Sequence, residues 1–261
     1  MSTNYKEKTN RVRREVLDLI YKAQTSHIGS NLSIIDVATV LYDKINLPSS
    51  SDPNRDRVIW SKGWAAATAY VLLKDKGILH DVDLRTYGAD GGLLGLVESA
   101  TPGIEASTGS MGHGLPIGVG MALAAKYSAS PWRTYVIMSD GEMGCGTTWE
   151  SALLAAHHKL DNLIVIVDWN QWQAMGRTAD ILQTNPISDK WKSFGWAVHM
   201  IDGHNFDQIE HVILKQHSGM PTIIIADTLK GKGVSVMEDK LEWHYKNIDK
   251  DTYELAMQEN A

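Results

Sequence analysis

Apolar and polar positions follow two different patterns along the chain. Over residues 8–23, apolar side chains recur at helical spacing between charged residues, which predicts an amphipathic helix. Elsewhere, short runs are continuously apolar and rich in β-branched residues, a pattern typical of strands that are buried on both faces of a parallel sheet. These runs are residues 134–138, 163–167, 196–201 and 222–226.

A further short strand is predicted at residues 57–60, where an apolar run follows a cluster of turn-forming residues. Segments with helical patterns alternate with the strands. They are residues 33–41, 65–73, 114–126, 147–159, 187–194 and 206–216. Residues 29–31 are expected to form a polar turn before the first of these helices, with Ser33 or Asn31 as its cap. Residues 114–126 contain many small side chains and are expected to form a buried helix.

This alternation predicts the α/β class, with a doubly wound, mostly parallel sheet flanked by helices. No repeat, low-complexity tract or clear linker interrupts it. We therefore expect a single domain over residues 1–261, with a polar C-terminal tail from about residue 249.

Composition and charge narrow the classes of partner. The 25 Lys and Arg residues against 31 Asp and Glu residues give a net charge of −6, so neither nucleic acid nor a membrane is expected as a partner. No run approaches the roughly 18 apolar residues of a membrane span. Cys145 is the single cysteine, which excludes an intramolecular disulfide and suits a reducing compartment. A cytoplasmic location is expected.

Polar residues follow several of the predicted strands, at the edge of the sheet where open α/β sheets bind ligands. Asp140 and Gly141 follow one strand, and Asn170 lies just beyond the next. Carboxylate and amide oxygens suit Mg²⁺, which completes its coordination with phosphate oxygens and water. The pattern predicts a divalent cation that holds a phosphorylated ligand, although Asp-Gly also forms ordinary turns. Lys230 and Lys232 either attract the phosphate or form an exposed loop.

The segment SDGEMGCGTTWESALLAAHHKLDNLIVIVDWNQ, residues 139–171, resembles the thiamin diphosphate motif, which opens with Gly-Asp-Gly and closes with an asparagine after a strand-helix-strand unit. Four further blocks resemble transketolases, especially their separately encoded N-terminal subunits. These blocks are residues 22–42, 56–73, 102–126 and 228–246. The resemblance extends over about residues 8–246 and implies the thiamin diphosphate-binding fold of a diphosphate-binding domain.

The resemblance implies the N-terminal subunit of a transketolase-like transferase, which moves a two-carbon ketol unit from a ketose-type donor to an aldehyde acceptor. It implies thiamin diphosphate as cofactor, together with Mg²⁺ or else Ca²⁺ or Mn²⁺. The partner would be a C-terminal transketolase subunit that carries the pyrimidine-binding domain, and the assembly would be an α2β2 heterotetramer that acts on small-molecule substrates.

The same resemblance assigns roles to residues in the thiamin diphosphate motif. Asp140, the side-chain oxygen of Asn170 and the backbone carbonyl of Trp172 would be the metal ligands. Gly141, Glu142 and Asn170 would bind the cofactor, with Gly141 against the diphosphate.

Other matched blocks supply two histidines and one loop. His27 and His244 fall on active-site histidines of transketolases, and His244 would also approach the diphosphate. Ser110, Met111 and Gly112 match the loop that touches the cofactor's rings.

The chain also departs from the transketolase pattern. Ser139 replaces the first glycine of Gly-Asp-Gly, which is harmless if its backbone angles suit serine. Lys62 stands at a usual asparagine, and Trp64 and Leu96 stand where transketolases have histidines. Because an unpaired buried hydroxyl costs about 1–3 kcal/mol, we hypothesise a donor or acceptor that is less hydroxylated than a sugar phosphate.

Two other functions remain open. One is decarboxylative acyl transfer from a 2-oxo acid by the same cofactor, and the other is a noncatalytic, cofactor-binding scaffold protein. Single residues also have structural alternatives: His27 and His244 would then be ordinary satisfied histidines, and His113 is either structural or adjacent to the cofactor. His157 and His158 are expected to be packing or surface residues.

Overall fold

A parallel sheet organises the chain in the computed structural model, which describes residues 4–215 and 217–261. Its strands lie in the spatial order β1-β2-β3-β5-β4, and every neighbouring pair is parallel. The strands are β1 (Arg57–Trp60), β2 (Thr134–Ser139), β3 (Leu163–Trp169), β4 (Ala197–Asp202) and β5 (Thr222–Asp227). The predicted α/β class with a parallel sheet is confirmed.

The helices connect these strands and cover both faces of the sheet. In chain order they are α1 (Tyr5–Ala23), α2 (Ile28–Lys44), α3 (Ala66–Asp75), α4 (Asp81–Leu84), α5 (Gly114–Tyr127), α6 (Gly146–His157), α7 (Thr178–Ile181), α8 (Ile187–Ser193), α9 (Phe206–Ile213) and α10 (Lys250–Glu259). Short 3₁₀ turns occupy Gly63–Ala65, Asp140–Gly144 and Leu241–His244. Helices α1, α2, α3 and α9 pack on one face, and α5, α6 and α8 pack on the other.

The apolar strands contribute side chains to a hydrophobic core on each face of the sheet. Val136 pairs with Ile59 of β1 and with Val165 of β3, and this row faces α5 and α6. The next residues along the strands, Ile137 and Ile166, face the core beneath α1 and α2. Successive side chains of a strand point to opposite faces, so a continuously apolar strand requires helices on both sides.

Helix α2 begins earlier than the sequence pattern predicts. Residues 29–31 are helical rather than a turn, and His27, not Asn31 or Ser33, is the residue before the first turn. The polar side chains are satisfied inside the protein: the Asn31 amide donates to the backbone oxygens of His27 (3.0 Å) and Trp64 (3.1 Å). Burial of this segment, which its polar composition hides, explains the difference.

Helix α5, predicted to be a buried helix, is buried on the face toward the sheet and exposed on its outward face. The side of Gly118 lies so close to the sheet that an added Cβ would be 2.4 Å from Val136 Cγ2. On the outward side Tyr127 is 76% exposed, and Leu153 and Leu154 of the adjacent helix α6 are also exposed. These side chains leave apolar surface exposed on α5 and α6.

Two further predictions concern the second half of the chain. The run 196–201 was expected to be buried on both faces, but β4 lies at the sheet edge and Met200 is 60% exposed. The stretch from about residue 249, predicted as a polar tail, forms helix α10. Tyr253 stacks on Tyr21 of α1 with ring centroids 4.2 Å apart. Across the described residues, no helix combines the length and apolar character that crossing a membrane requires.

Candidate active site

A cavity of about 260 Å³ lies at the carboxyl ends of the central strands. Asp140 and Gly141, which follow β2, line it together with Asn170, which follows β3. His27, at the start of α2, and His244, in the segment after β5, complete the wall from other parts of the chain. The parallel register explains this convergence, because the carboxyl ends of parallel strands meet at one edge of the sheet.

Asp140 is buried with one oxygen unpaired. Its Oδ2 accepts a hydrogen bond from the Thr178 hydroxyl (2.9 Å), whereas its Oδ1 finds no hydrogen-bond partner among the described residues. Burial raises the pKa of Asp140 to about 7, more than the bond from Thr178 lowers it, and the nearby Asp168 adds to the rise. A buried carboxylate oxygen without a partner is costly, and a cation would satisfy it.

The amide of Asn170 has a defined orientation. Its nitrogen donates to Asp168 Oδ2 (3.1 Å), and its oxygen accepts from the backbone nitrogen of Trp172 (3.0 Å). Because a carboxylate only accepts hydrogen bonds, the amide nitrogen must face Asp168. Gln171 lies between Asn170 and Trp172, and its φ of 63° turns the chain so that these two residues can contact each other. The amide oxygen is therefore the end of Asn170 that is left for a cation.

A fully buried ion pair lies beneath the cavity. Lys62 donates to Asp168 and to the backbone oxygen of Ser30 (2.9 Å), and the hydroxyls of Ser33 and Thr228 also donate to Asp168. Although burial raises it, the pKa of Asp168 is held below its ordinary value by the Lys62 ammonium and these hydrogen bonds. Sequence reasoning noted Lys62 only as a departure and missed this pair, because nothing in the sequence pairs Lys62 with Asp168 at the end of β3.

The two histidines predicted as catalytic face each other across one wall. The backbone nitrogen of His27 donates to the backbone oxygen of His244 (2.9 Å), and the ring centroids are 5.0 Å apart. Tyr245, which sequence reasoning did not identify, lies 4.7 Å from the His244 ring. Burial lowers the pKa of His27 to about 4 and that of His244 to about 3, and Lys230 acts in the same direction on both. Both imidazoles are therefore neutral near pH 7.

Lys230 is buried, whereas Lys232 is partly exposed, so the two lysines of this loop differ. Burial and the nearby Lys62 lower the pKa of Lys230 to about 8. Its ammonium lies 3.2 Å from His244 Nδ1. Because an ammonium has only donors, Nδ1 must accept, and the proton of His244 lies on Nε2.

Glu142, which the resemblance assigns to cofactor binding, does not line the cavity. Its carboxylate accepts from the backbone nitrogens of Ser139 (2.9 Å) and Gly112 (3.1 Å) and from the Ser61 hydroxyl. Burial raises its pKa. Glu142 thus joins the loop after β2 to the loop at residues 110–112. In that second loop, Met111 lines the cavity. Its sequence neighbours Ser110 and Gly112 do not line the cavity.

The residues that depart from the transketolase pattern lie in different surroundings. Ser139 has φ −97° and ψ 160°, extended angles that suit serine. Trp64 lines the cavity with its ring 6.5 Å from that of His27. Leu96 lines a neighbouring groove that His27 also borders. His113 is exposed, as is His157 on α6.

The residues of the cavity fit a divalent cation and an anionic ligand. Asp140 offers an unpaired oxygen, Asn170 offers an amide oxygen, and the buried Lys62 supplies positive charge. Among the described residues there is no group of three or more His, Cys, Asp or Glu side chains that could hold a metal ion. A cation here would therefore depend on mixed carboxylate, amide and carbonyl donors, the kind that Mg²⁺ accepts alongside phosphate oxygens. The fold and the cavity are those of an α/β protein whose strand ends could hold a cation and a phosphorylated ligand.

Comparison with known proteins names the family. The family described as transketolase, thiamine diphosphate binding domain, matches residues 5–259. The chain belongs to this family, as its motifs predict.

Two relatives of similar length are named as subunits of transketolases. The chain is 41% identical over 263 residues to one of the subunits of apulose-4-phosphate transketolase from Actinobacillus succinogenes, covering 97% of this chain and 94% of that one. It is 37% identical over 257 residues to the 6-deoxy-6-sulfo-D-fructose transketolase subunit SqwG of Clostridium sp., covering 96% and 94%.

Undivided transketolases match over less than half of their length. Human transketolase is 32% identical over 261 residues, which is 97% of this chain and 41% of that protein. The crystal structure of transketolase from Campylobacter jejuni superposes with a TM-score of 0.92 at 28% identity, covering 100% of this chain and 43% of that one. The shared fold therefore corresponds to one part of the longer enzymes.

Proposed function

We propose that this chain is the diphosphate-binding subunit of a split, thiamin diphosphate-dependent transketolase. The observation that carries the proposal is the buried, unpaired oxygen of Asp140 beside the oriented amide of Asn170, in a chain of this family. The enzyme would transfer a two-carbon ketol unit from a ketose-type donor to an aldehyde acceptor. Relatives of similar length that are named as single subunits of a transketolase support the division of this enzyme into two polypeptides.

Each residue of the predicted cofactor site has its own role in this proposal. Asp140, Asn170 and the carbonyl of Trp172 would hold Mg²⁺, with Ca²⁺ or Mn²⁺ as alternatives, and Gly141 would let the diphosphate approach the backbone. Glu142 would support this site through its bonds to two loops, while Ser110, Met111 and Gly112 would border the cofactor's rings. When bound, thiamin diphosphate supplies the carbon nucleophile that breaks a bond next to a carbonyl group.

The histidines would handle protons and hydroxyl groups of the substrate. Since burial keeps His27 and His244 neutral, each can both donate and accept a hydrogen bond. Lys230 keeps the proton of His244 on Nε2, so that atom is the donor toward a substrate oxygen. Trp64 and Tyr245 line the same wall beside the two histidines.

A second polypeptide is expected to cover the cavity mouth. Met111, Met175 and Tyr245 line the cavity, yet they are 47%, 80% and 61% exposed. Large apolar side chains that remain exposed around a site are typical of an interface. The occupant we propose is a C-terminal transketolase subunit with the pyrimidine-binding domain, in an α2β2 heterotetramer. A cytoplasmic location is proposed from the lone, unpaired Cys145.

The substrate is proposed to be less hydroxylated than a common sugar phosphate. Trp64 presents an indole to the cavity, and Leu94 and Leu96 line the neighbouring groove of about 530 Å³. Unpaired hydroxyls would be penalised against such surfaces. Relatives named for apulose-4-phosphate and for a deoxysulfofructose are in keeping with an unusual substrate.

Calorimetry with Mg²⁺ and thiamin diphosphate tests the proposal, on the chain alone and with its partner subunit. Binding should tighten strongly with the partner and should disappear in Asp140→Ala. Asp180→Ala, an exposed carboxylate of α7, is the control and should bind normally.

Product analysis then separates the remaining functions. Release of carbon dioxide from a 2-oxo acid would replace ketol transfer by decarboxylative acyl transfer. Full activity of the complex with Asp140→Ala would indicate a scaffold protein. Efficient turnover of xylulose 5-phosphate would refute the less hydroxylated substrate, and Trp64→His should raise the preference for hydroxylated acceptors.

A further inference from the structure

The cavity is roofed by a short loop, residues 171–178, which we call the cavity loop. Gln173, Ala174 and Met175 of this loop line the cavity. The loop closes on itself through hydrogen bonds from Gln173 to Gly176 and from Thr178 to Gln171, both 2.9 Å between backbone nitrogen and oxygen. It also contains Trp172, whose carbonyl is the third expected metal ligand.

The inner end of the cavity loop is tied directly to the proposed metal site. Thr178 is buried, and its hydroxyl donates to Asp140 Oδ2 over 2.9 Å. This contact fixes the Thr178 end of the loop, and the Trp172 backbone nitrogen donates to Asn170 Oδ1 (3.0 Å), but neither contact holds the Trp172 side chain.

The outer end is held by one carboxylate, that of Asp239. Its Oδ1 accepts from the Trp172 indole nitrogen (2.8 Å) and from Arg177 Nη1 (2.8 Å), and its Oδ2 accepts from Arg177 Nη2 (2.6 Å). The Arg177 guanidinium also stacks on the Trp172 ring, with its Cζ 3.8 Å from the centroid. Hydrogen bonds from Arg177 hold the pKa of Asp239 below its ordinary value.

Asp239 belongs to the opposite side of the cavity. Its backbone nitrogen donates to the backbone oxygen of Lys230 (2.9 Å), and the same segment continues to His244. The residue has φ 58°, so the chain turns sharply to present the carboxylate. Asp239 therefore joins the cavity loop to the segment that carries His244.

We propose that Asp239 is a positioning residue, which acts through Arg177 and Trp172 to hold the Trp172 carbonyl where the divalent cation needs it. The inference rests on the metal site of the proposed function. Partners that orient metal ligands typically contribute about 10–100-fold to metal affinity. The Arg177 and Asp239 side chains are 38% and 49% exposed, and ion pairs this open contribute little to global stability. Loss of Asp239 should thus weaken metal binding without unfolding the protein.

The test measures Mn²⁺ affinity by electron paramagnetic resonance, with thiamin diphosphate present, on the complex of the chain with its partner subunit. Asp239→Ala should weaken Mn²⁺ binding about tenfold, while the melting temperature without cofactor stays that of the wild type. Asp239→Glu should recover part of the affinity. Asp239→Asn, which keeps an acceptor for the indole but loses the charge, should fall between wild type and Asp239→Ala.

Two controls separate failure of this inference from failure of the proposed function. If Asp140→Ala abolishes Mn²⁺ binding while Asp239→Ala binds normally, the metal site stands and the role of Asp239 is refuted. If Asp140→Ala also binds normally, the metal site itself is wrong, and the inference falls with it. A matching drop in melting temperature and affinity for Asp239→Ala would show a merely structural residue. Asp180→Ala should change neither quantity.

Discussion

Single residues near the cavity owe their charge states to neighbours that are distant in sequence. Asp140, Asn170, His27 and His244 could be identified in advance, because they follow predicted strands or lie in matched blocks. The ion-pair partner of Asp168 could not be identified from the sequence, since Lys62 is 106 residues away and no local pattern links the two. The buried state of Lys230 was equally hidden, because a glycine-rich loop gives no periodicity from which burial can be read.

The ion pair beneath the cavity provides the first prediction. Lys62→Met leaves a fully buried carboxylate without its cation, which should lower the free energy of unfolding by about 3–5 kcal/mol. Urea denaturation without cofactor measures this loss. The double variant Lys62→Met/Asp168→Leu should recover part of it, since no buried charge then remains unpaired, although Ser33, Thr228 and Asn170 lose their acceptor. Equal losses in the single and double variants would contradict this account.

A second prediction concerns pH. The pKa of His244 falls from 6.5 to about 3 on folding, so the unfolded chain takes up the proton first. Stability from this residue is complete above the unfolded pKa and falls with decreasing pH below about 6.5, by at most about 1.4 kcal/mol per pH unit.

Urea denaturation between pH 7.5 and 4.5 should therefore show the wild type losing stability relative to His244→Gln as the pH falls. His157→Gln, an exposed position of α6, should parallel the wild type. A constant difference between wild type and His244→Gln would mean that His244 is protonated as easily in the folded chain as in the unfolded one.

At the scale of elements, the apolar runs predicted the strands well, because a strand buried on both faces has a pattern that short loops do not share. The exposures of β4 and α5 were not predictable in the same way. An edge strand and a half-covered helix have the same apolar sequence as buried ones, and only the arrangement of neighbours distinguishes them. The start of α2 was missed for the opposite reason, since its buried residues are polar.

Helix α5 offers a matched pair of glycines. Gly118→Ala should destabilise the protein by about 1–3 kcal/mol, because the new methyl group would collide with Val136 of β2. Gly120→Ala, two positions further on the same helix, meets no atom within 4 Å and should stabilise it by up to about 1 kcal/mol through helix propensity. Thermal unfolding of both variants checks the packing. Equal shifts of the same sign would show that α5 does not press on the sheet as described.

Across the whole molecule, the class of fold and the side of the sheet that carries the site followed from the strand-helix alternation. The part that the C-terminal region plays in the fold could not be predicted from this alternation, because helix α10 has few apolar residues and packs through particular hydrogen bonds. The Asn260 amide donates to the backbone oxygen of Gly233 (2.7 Å), and Arg14 donates to the backbone oxygen of Asn260. The end of the chain thereby supports the segment that bears Lys230.

Asn260→Ala should therefore act at a distance from its own helix. It leaves the Gly233 oxygen without this donor, which should cost about 1–3 kcal/mol of stability. Hydrogen exchange should also become faster over residues 230–240. Gln258→Ala, on the exposed side of α10, should leave both unchanged. Unaltered exchange in Asn260→Ala would mean that the segment is held without α10.

The hydrogen bond between the backbones of His27 and His244 has a consequence for the order of folding during synthesis. The residues of the wall come from both ends of the sequence, and β1 pairs with β2 only after a long excursion of chain. Contacts between such distant parts form late, because loop closure must precede them. During synthesis, strands β1 to β5 therefore leave the ribosome before the segment that carries His244, and the contact between the two histidines forms only after that segment has emerged. A ribosome stalled before residue 244 would thus hold a polypeptide in which the His27 backbone lacks this partner and one wall of the cavity is incomplete.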